Sequence, residues 1–158
     1  MQVTLPSPAE RLILGALVGC ACAGGLLGYV ALGGLQGMVE IVGPEIGGMM
    51  SVGASFFGGL GSAILVRDRL GREGTRGVLS AIAGGVLATA ILGIIAGTIV
   101  LPIFGTMFGP WLVLMTAATK PWYVLPWIAS LYGMHKARRS YLAEQETLFR
   151  YVPRIDAT

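Results

Sequence analysis

Charge is what this chain has least of. Asp, Glu, Lys and Arg make up 12% of its 158 residues, about half the share of a soluble domain. No charged residue occurs between positions 12 and 39, 46 and 66, or 78 and 119. A run of about 20 apolar residues spans the hydrocarbon core of a bilayer as a helix, so each gap is long enough. A soluble core does not need three of them, and the pattern reads as an integral membrane protein. Histidine is limited to His135 and cysteine to Cys20 and Cys22. Metal ligation needs several convergent ligands, so no metal site is expected. Two residues apart on a helix, Cys20 and Cys22 point to different sides and read as small packing residues. No Ser-His-Asp arrangement and no phosphate-binding loop occurs, so no catalytic or cofactor-binding residues are expected and the chain reads as a non-enzyme. The basic residues are not interleaved with aromatics that could stack bases, which excludes nucleic acid as a partner. The first ten residues carry no Lys or Arg, so a cleavable signal is not expected.

What the chain has in excess is glycine, 25 residues, mostly inside the apolar runs. Glycine within a helix costs roughly 1 kcal/mol relative to alanine, so this many need a packing reason. Helices in lipid gain nothing by burying apolar surface against each other and associate through close backbone approach at small residues four apart. The chain supplies Gly15 with Gly19, Gly24 with Gly28, Gly33 with Gly37, Gly43 with Gly47, Gly93 with Gly97 and Gly105 with Gly109. Gly58 with Ser62 and Gly84 with Ala88 extend the series. The expected fold is all-α: a four-transmembrane-helix bundle packed by GxxxG faces.

The spans are expected at about 11–34, 46–66, 78–101 and 112–134, giving a membrane domain over 1–137 and a polar C-terminal tail over 138–158. Ser7, Pro8 and Glu10 read as N-cap, first helical residue and capping box of the first span. The segment 67–77 reads as a loop. The fourth region is interrupted by Pro110, Lys120, Pro121 and Pro126 and has two parses. One is a kinked span over 112–134; the other is an interfacial stretch over 103–119 followed by a short span from Pro121. Trp111, Trp122 and Trp127 suggest a membrane interface nearby. In the tail, Tyr141, Leu142, Gln145, Leu148, Phe149 and Val152 recur at helical spacing, as in an amphipathic surface helix. With four spans, both termini and the loop holding Arg67, Arg69, Arg72 and Arg76 share one side. Arg69, Arg72, Arg76, Lys136, Arg138 and Arg139 are placed to meet lipid headgroups or a partner subunit. A structural phospholipid is the one bound group expected.

In the second span the pattern becomes more specific. Gly53-Ala54-Ser55-Phe56, ten residues, then Arg67 resembles the signature of the mitochondrial preprotein and amino-acid transporter family. Gly53, Phe56 and Arg67 carry the likeness, and Gly84 to Ala88 is similar to the family's small-residue pair in the third span. Gly71 stands where that family's loop carries Asp. The resemblance implies a multi-pass protein of the mitochondrial inner membrane with its termini and arginine loop facing the intermembrane space. The positive-inside rule would instead make that side cytoplasmic in a bacterium.

Two roles exist in that family, and electrostatics separates them. A conduit for cationic presequences should offer acids within the membrane, because an unpaired cation there costs several kcal/mol. The spans here contain none, and Ser62 and Ala63 stand where translocase members carry Asp and Cys. The expected function is therefore a non-catalytic accessory subunit of a respiratory-chain complex, with complex I (NADH:ubiquinone oxidoreductase) first. It would stabilise assembly through helix packing and lipid contacts, with other integral membrane subunits as partners. A preprotein translocase subunit is the alternative, and a bacterial or phage membrane protein of unrelated role stands third.

Overall fold

The computed structural model describes residues 6–32, 44–72 and 74–150, with the backbone alone at 44–48 and 147–150. These residues form five helices: α1 Pro8–Leu32, α2 Pro44–Val66, α3 Gly74–Val100, α4 Phe104–Thr119 and α5 Pro121–Arg150. A 3-10 turn, Arg67–Arg69, follows α2 directly. Glu40 and the pair Gly33/Gly37 lie outside the described residues, as do Gly43, Glu73 and residues 151–158; Gly47 lies in α2 with its surroundings undescribed.

α1 begins as its sequence dictates. The Glu10 amide donates to Ser7 Oγ at 3.2 Å, and the Ser7 amide donates to Glu10 Oε2 at 2.8 Å. Pro8 opens the helix, where its missing N–H has no intrahelical partner to lose. Three stretches are long and apolar enough to cross a membrane: Pro8–Leu32, Met49–Arg69 and Gly74–Val100. Their outer faces are apolar, with Leu12, Val18, Phe57, Leu65, Leu79 and Val86 all exposed. A soluble monomer rarely shows so much contiguous apolar surface. The chain is thus a membrane protein by length, composition and the chemistry of its exposed faces.

Three expectations need correction. The third helix begins at Gly74, not 78, so the loop is shorter than 67–77. Gly77 serves a close approach rather than a turn: a methyl there would run into the Arg72 backbone. The single span over 112–134 is divided at Lys120, whose φ of −127° and ψ of 68° end α4. The Pro121 ring disfavours helical geometry in the residue before it, while Pro121 itself suits the first position of α5. Pro110 and Pro126 sit inside helices instead. Third, residue 137 is no structural boundary, because α5 continues unbroken from the apolar segment to Arg150. In its polar half, Tyr141, Leu142 and Gln145 are half-buried while Ser140, Ala143 and Glu146 are exposed, the one-sided burial expected of a helix lying on a surface.

α1 is flanked by α2 and α5; α3 packs on α2 and carries α4. The helices approach one another closely at several glycines. A methyl on Gly24 of α1 would fall 2.6 Å from Gly59 Cα of α2 and 2.8 Å from Leu92 Cδ1 of α3. One on Gly28 would fall 2.7 Å from Ser55 Cβ, and one on Gly58 2.9 Å from the Leu92 carbonyl oxygen. Gly93 lies equally tight against Gly109 and Pro110, and Gly97 against Gly105. That register makes α4 antiparallel to the end of α3. The two join through a tight turn in which the Phe104 amide donates to the Pro102 carbonyl at 3.0 Å. Its central residue, Ile103, has φ 73° and ψ −66°, the rare γ-turn geometry and strained for a β-branched side chain. The core over these contacts contains Leu27, Leu92, Val113, Trp127 and Met134. Cys20 is buried and Cys22 exposed, as their spacing requires.

These distances separate glycines that abut a neighbouring helix from those that do not. Nothing lies within 4 Å of a methyl at Gly15. Gly24→Ala should lower stability by about 2 kcal/mol through overpacking, whereas Gly15→Ala should raise it by about 0.5 kcal/mol. Thermal unfolding in detergent checks this, and equal effects at the two positions would contradict the packing described.

Candidate functional site

Charged residues of α1, α3, α5 and the 3-10 turn after α2 meet at one end of the structure, where hydrogen bonds link the elements. Arg138 Nη2 of α5 donates to Asp68 Oδ1 at 2.8 Å, and Arg67 Nε stands 3.8 Å from the same oxygen. The Gly71 amide donates to His135 Nδ1 at 2.9 Å. An imidazole accepting at Nδ1 carries its proton on Nε2 when neutral. Ser80 Oγ of α3 donates to the Arg69 carbonyl at 3.0 Å, and Ser7 Oγ before α1 donates to Glu144 Oε2 at 3.2 Å. Described residues near both ends of the chain therefore share an end with the arginine loop, and α5 runs antiparallel to α1.

Gly71 is the hinge of this clasp. Its φ is +83°, and a methyl would fall 2.6 Å from Arg138 Cγ and 3.2 Å from the Arg139 amide nitrogen. Glycine alone takes that backbone angle without penalty, and only glycine lets the loop lie so close to α5. The same residue marked the loop's departure from the family pattern, with no sign of what it touches. His135, the one histidine of the chain, is the acceptor that completes the contact.

Two cavities flank the clasp. A groove of about 530 Å³ runs between α3 and α5, with Val78, Ile82 and Val86 on one wall and Ile128 and Leu131 on the other. Its base is Trp127, whose indole N–H donates to Thr89 Oγ1 at 3.0 Å; that hydroxyl in turn donates to the Gly85 carbonyl at 2.9 Å. Trp127 is thus in the core and not at an interface, because Gly24 leaves room for the ring and Thr89 satisfies its one donor. Trp111 and Trp122 are exposed. The second cavity, about 430 Å³, lies between the start of α1, the end of α2 and α5, with Glu10, Arg67, Arg138 and Tyr141 at its edge.

The residues expected to act are distributed as follows. Gly53, Phe56 and Arg67 do not converge: Gly53 has nothing within 4 Å of a methyl, Phe56 packs edge-on against Phe57 at 5.9 Å, and Arg67 is in the 3-10 turn. Arg69, Arg72, Arg76, Lys136 and Arg139 are exposed and Arg138 is half-buried. Lys136 Nζ stands 5.3 Å from the Tyr132 ring centroid, within range of a cation–π contact. Of the expected packing residues, Gly24, Gly28, Gly58, Gly93 and Gly97 are tightly abutted. Ser62 and Ala88 are fully buried, and Ser62 Oγ donates to the Gly59 carbonyl. Gly19 and Gly84 make ordinary contacts, to Ser130 at 3.9 Å and Arg69 Cβ at 3.4 Å. Gly59 and Ser55 were missed, although Gly58-Gly59 adjacent in an apolar helix was a visible signal. Among the described residues, no three His, Cys, Asp or Glu side chains gather as metal ligands would.

Comparison of the chain with protein-family models, curated proteins and solved structures found no match in any of the three. The resemblance to the mitochondrial family rests on the spacing of Gly53, Phe56 and Arg67.

The clasp predicts coupled mutational effects. His135→Ala should cost about 1 kcal/mol by orphaning the Gly71 amide, and Gly71→Ala about 2 kcal/mol through overpacking and backbone strain. Because both release the same contact, the double variant should cost less than the sum. Chemical or thermal unfolding of the three variants reads this; strict additivity would contradict a shared clasp.

Proposed function

We propose that this protein is a structural, non-catalytic subunit that takes its place among other integral membrane subunits of a larger complex. The observation carrying this reading is the chemistry of the interior. The buried polar side chains described are Ser51, Ser55, Ser62 and Thr89, all hydroxyls, while the charged side chains of α1, α3 and α5 gather at the clasped end. A cationic polypeptide passing between these helices would meet no carboxylate among the buried side chains described, and an uncompensated cation inside a membrane costs several kcal/mol. The interior is arranged for helix contact.

The proposal includes four crossings. α3 leads the chain away from the arginine loop, and α5 returns His135 and Arg138 to Gly71 and Asp68. The return is made by α4 and the apolar half of α5 together, broken at Lys120. Glycine seams between α1 and α2, α2 and α3, and α3 and α4 hold the bundle, supplying the close approach that substitutes for hydrophobic burial in lipid. The setting proposed, on the Gly53, Phe56 and Arg67 spacing, is the mitochondrial inner membrane and a respiratory complex, complex I first. The apolar outer faces and the cleft between α3 and α5 would then meet neighbouring subunits and lipid.

Purification of the native protein in mild detergent, with identification of what migrates beside it, tests this. The expected companions are integral subunits of one respiratory complex. Co-migration with presequence-receptor components would favour the translocase alternative and overturn the structural role. Migration as a lone monomer would overturn the subunit reading altogether.

A further inference from the structure

The smaller cavity at the clasped end has two chemically distinct halves. Its inner wall is apolar, formed by Ile13 and Leu17 of α1, Ile64 of α2 and Met134 of α5. Its rim carries Arg67, Arg138, Glu10 and Tyr141. Arg138 binds Asp68 through Nη2, but its Nε is buried and has no hydrogen-bond partner. An unmade hydrogen bond on a charged group is costly, and the Arg138 side chain lines the cavity, so an acceptor entering there would meet a guanidinium with hydrogen-bonding capacity to spare. Tyr141 accepts a hydrogen bond from Gln145 Nε2 at 2.8 Å, which leaves its own O–H to donate. Glu10 uses Oε2 in the capping box, and its carboxylate stays at the rim.

An acceptor with an apolar continuation, at the level where charged residues give way to apolar ones, describes a phospholipid. The charges narrow the headgroup. Arg67 and Arg138 are offset by Asp68 and Glu10, so the rim is close to neutral. A headgroup with extra negative charge would face the Glu10 carboxylate at the rim, whereas one pairing a phosphate with an amine meets opposite charge at both ends. We propose that this cavity holds one zwitterionic, ethanolamine-type phospholipid. Its phosphate lies toward the Arg138 and Arg67 guanidiniums and the Tyr141 hydroxyl, its amine toward Glu10, and an acyl chain along Ile13, Leu17, Ile64 and Met134. The inference rests on the membrane reading and not on the subunit role. Loss of lipid selectivity would leave that role standing, and a lone monomer in detergent would leave the lipid site standing.

Native mass spectrometry of the full chain in detergent tests it, after delipidation and titration with dioleoyl phosphatidylethanolamine, dioleoyl phosphatidylglycerol or inorganic phosphate. The wild type should retain one phosphatidylethanolamine about tenfold more tightly than phosphatidylglycerol. Arg138→Gln should weaken that retention at least tenfold. Ile64→Trp, which fills the apolar half and leaves the Asp68–Arg138 pair untouched, should do the same. Glu10→Gln preserves the capping box and should shift preference toward phosphatidylglycerol. Equal retention of the two lipids by the wild type, unchanged retention in Ile64→Trp, or inorganic phosphate competing as well as lipid would each overturn the proposal.

Discussion

At several crossings the helices of this protein touch where a side chain is missing. At Gly24 on Gly59, Gly58 on Leu92 and Gly93 on Gly109, one backbone lies where another's Cβ would be. The contact is made of many weak dispersion terms, each about 0.1–0.2 kcal/mol, that lapse quickly with a gap of half an ångström. In lipid they are not supplemented by the hydrophobic effect, so separation matters more than apolar area. Three local features accompany those close crossings. Trp127 fits the core because Gly24 gives way to it, Ser55 enters the space beside Gly28, and α4 lies flat on the end of α3 because both present glycine pairs in the same register.

The opposite economy operates at the clasped end. There the contacts are directional and polar: Asp68 with Arg138, the Gly71 amide with His135, Ser7 with Glu144. Asp68 is largely exposed, and a pair so screened contributes at most about 1 kcal/mol. Its part is to set register. It fixes α5 against the α2–α3 turn at the level where the apolar faces end. A small polar clasp is sufficient because the glycine contacts already restrict how the helices slide.

Much of this was legible in the chain, and the limits are physical. The capping box at Ser7 and Glu10 was readable because its geometry is local, complete within four residues. The three long apolar helices were readable from charge-free length alone. The register of glycine contacts was not: a GxxxG pair says that a helix can be approached, not by which partner. Gly15 and Gly24 look alike in the sequence, yet one faces outward and the other abuts two helices. Lys120 with Pro121 was marked as an interruption, but whether a proline kinks a helix or begins a new one depends on what the flanking residues pack against. The Gly71–His135 contact joins residues 64 positions apart, and nothing local to either announces it. Trp127 misled for the same reason, since an indole suits both an interface and a core that satisfies its N–H.

α3 and α4 lie backbone to backbone across Gly93, Gly97, Gly105 and Gly109. Just beyond that seam, Thr98 Oγ1 and Thr106 Oγ1 are 2.7 Å apart. A disulfide forms only when two Cα atoms lie within about 7 Å. Thr98→Cys with Thr106→Cys, in a chain whose Cys20 and Cys22 are replaced by serine, should therefore oxidise nearly to completion in native membranes and resist maleimide labelling until reduced. Both thiols remaining fully reactive after oxidation would contradict that arrangement of α3 and α4.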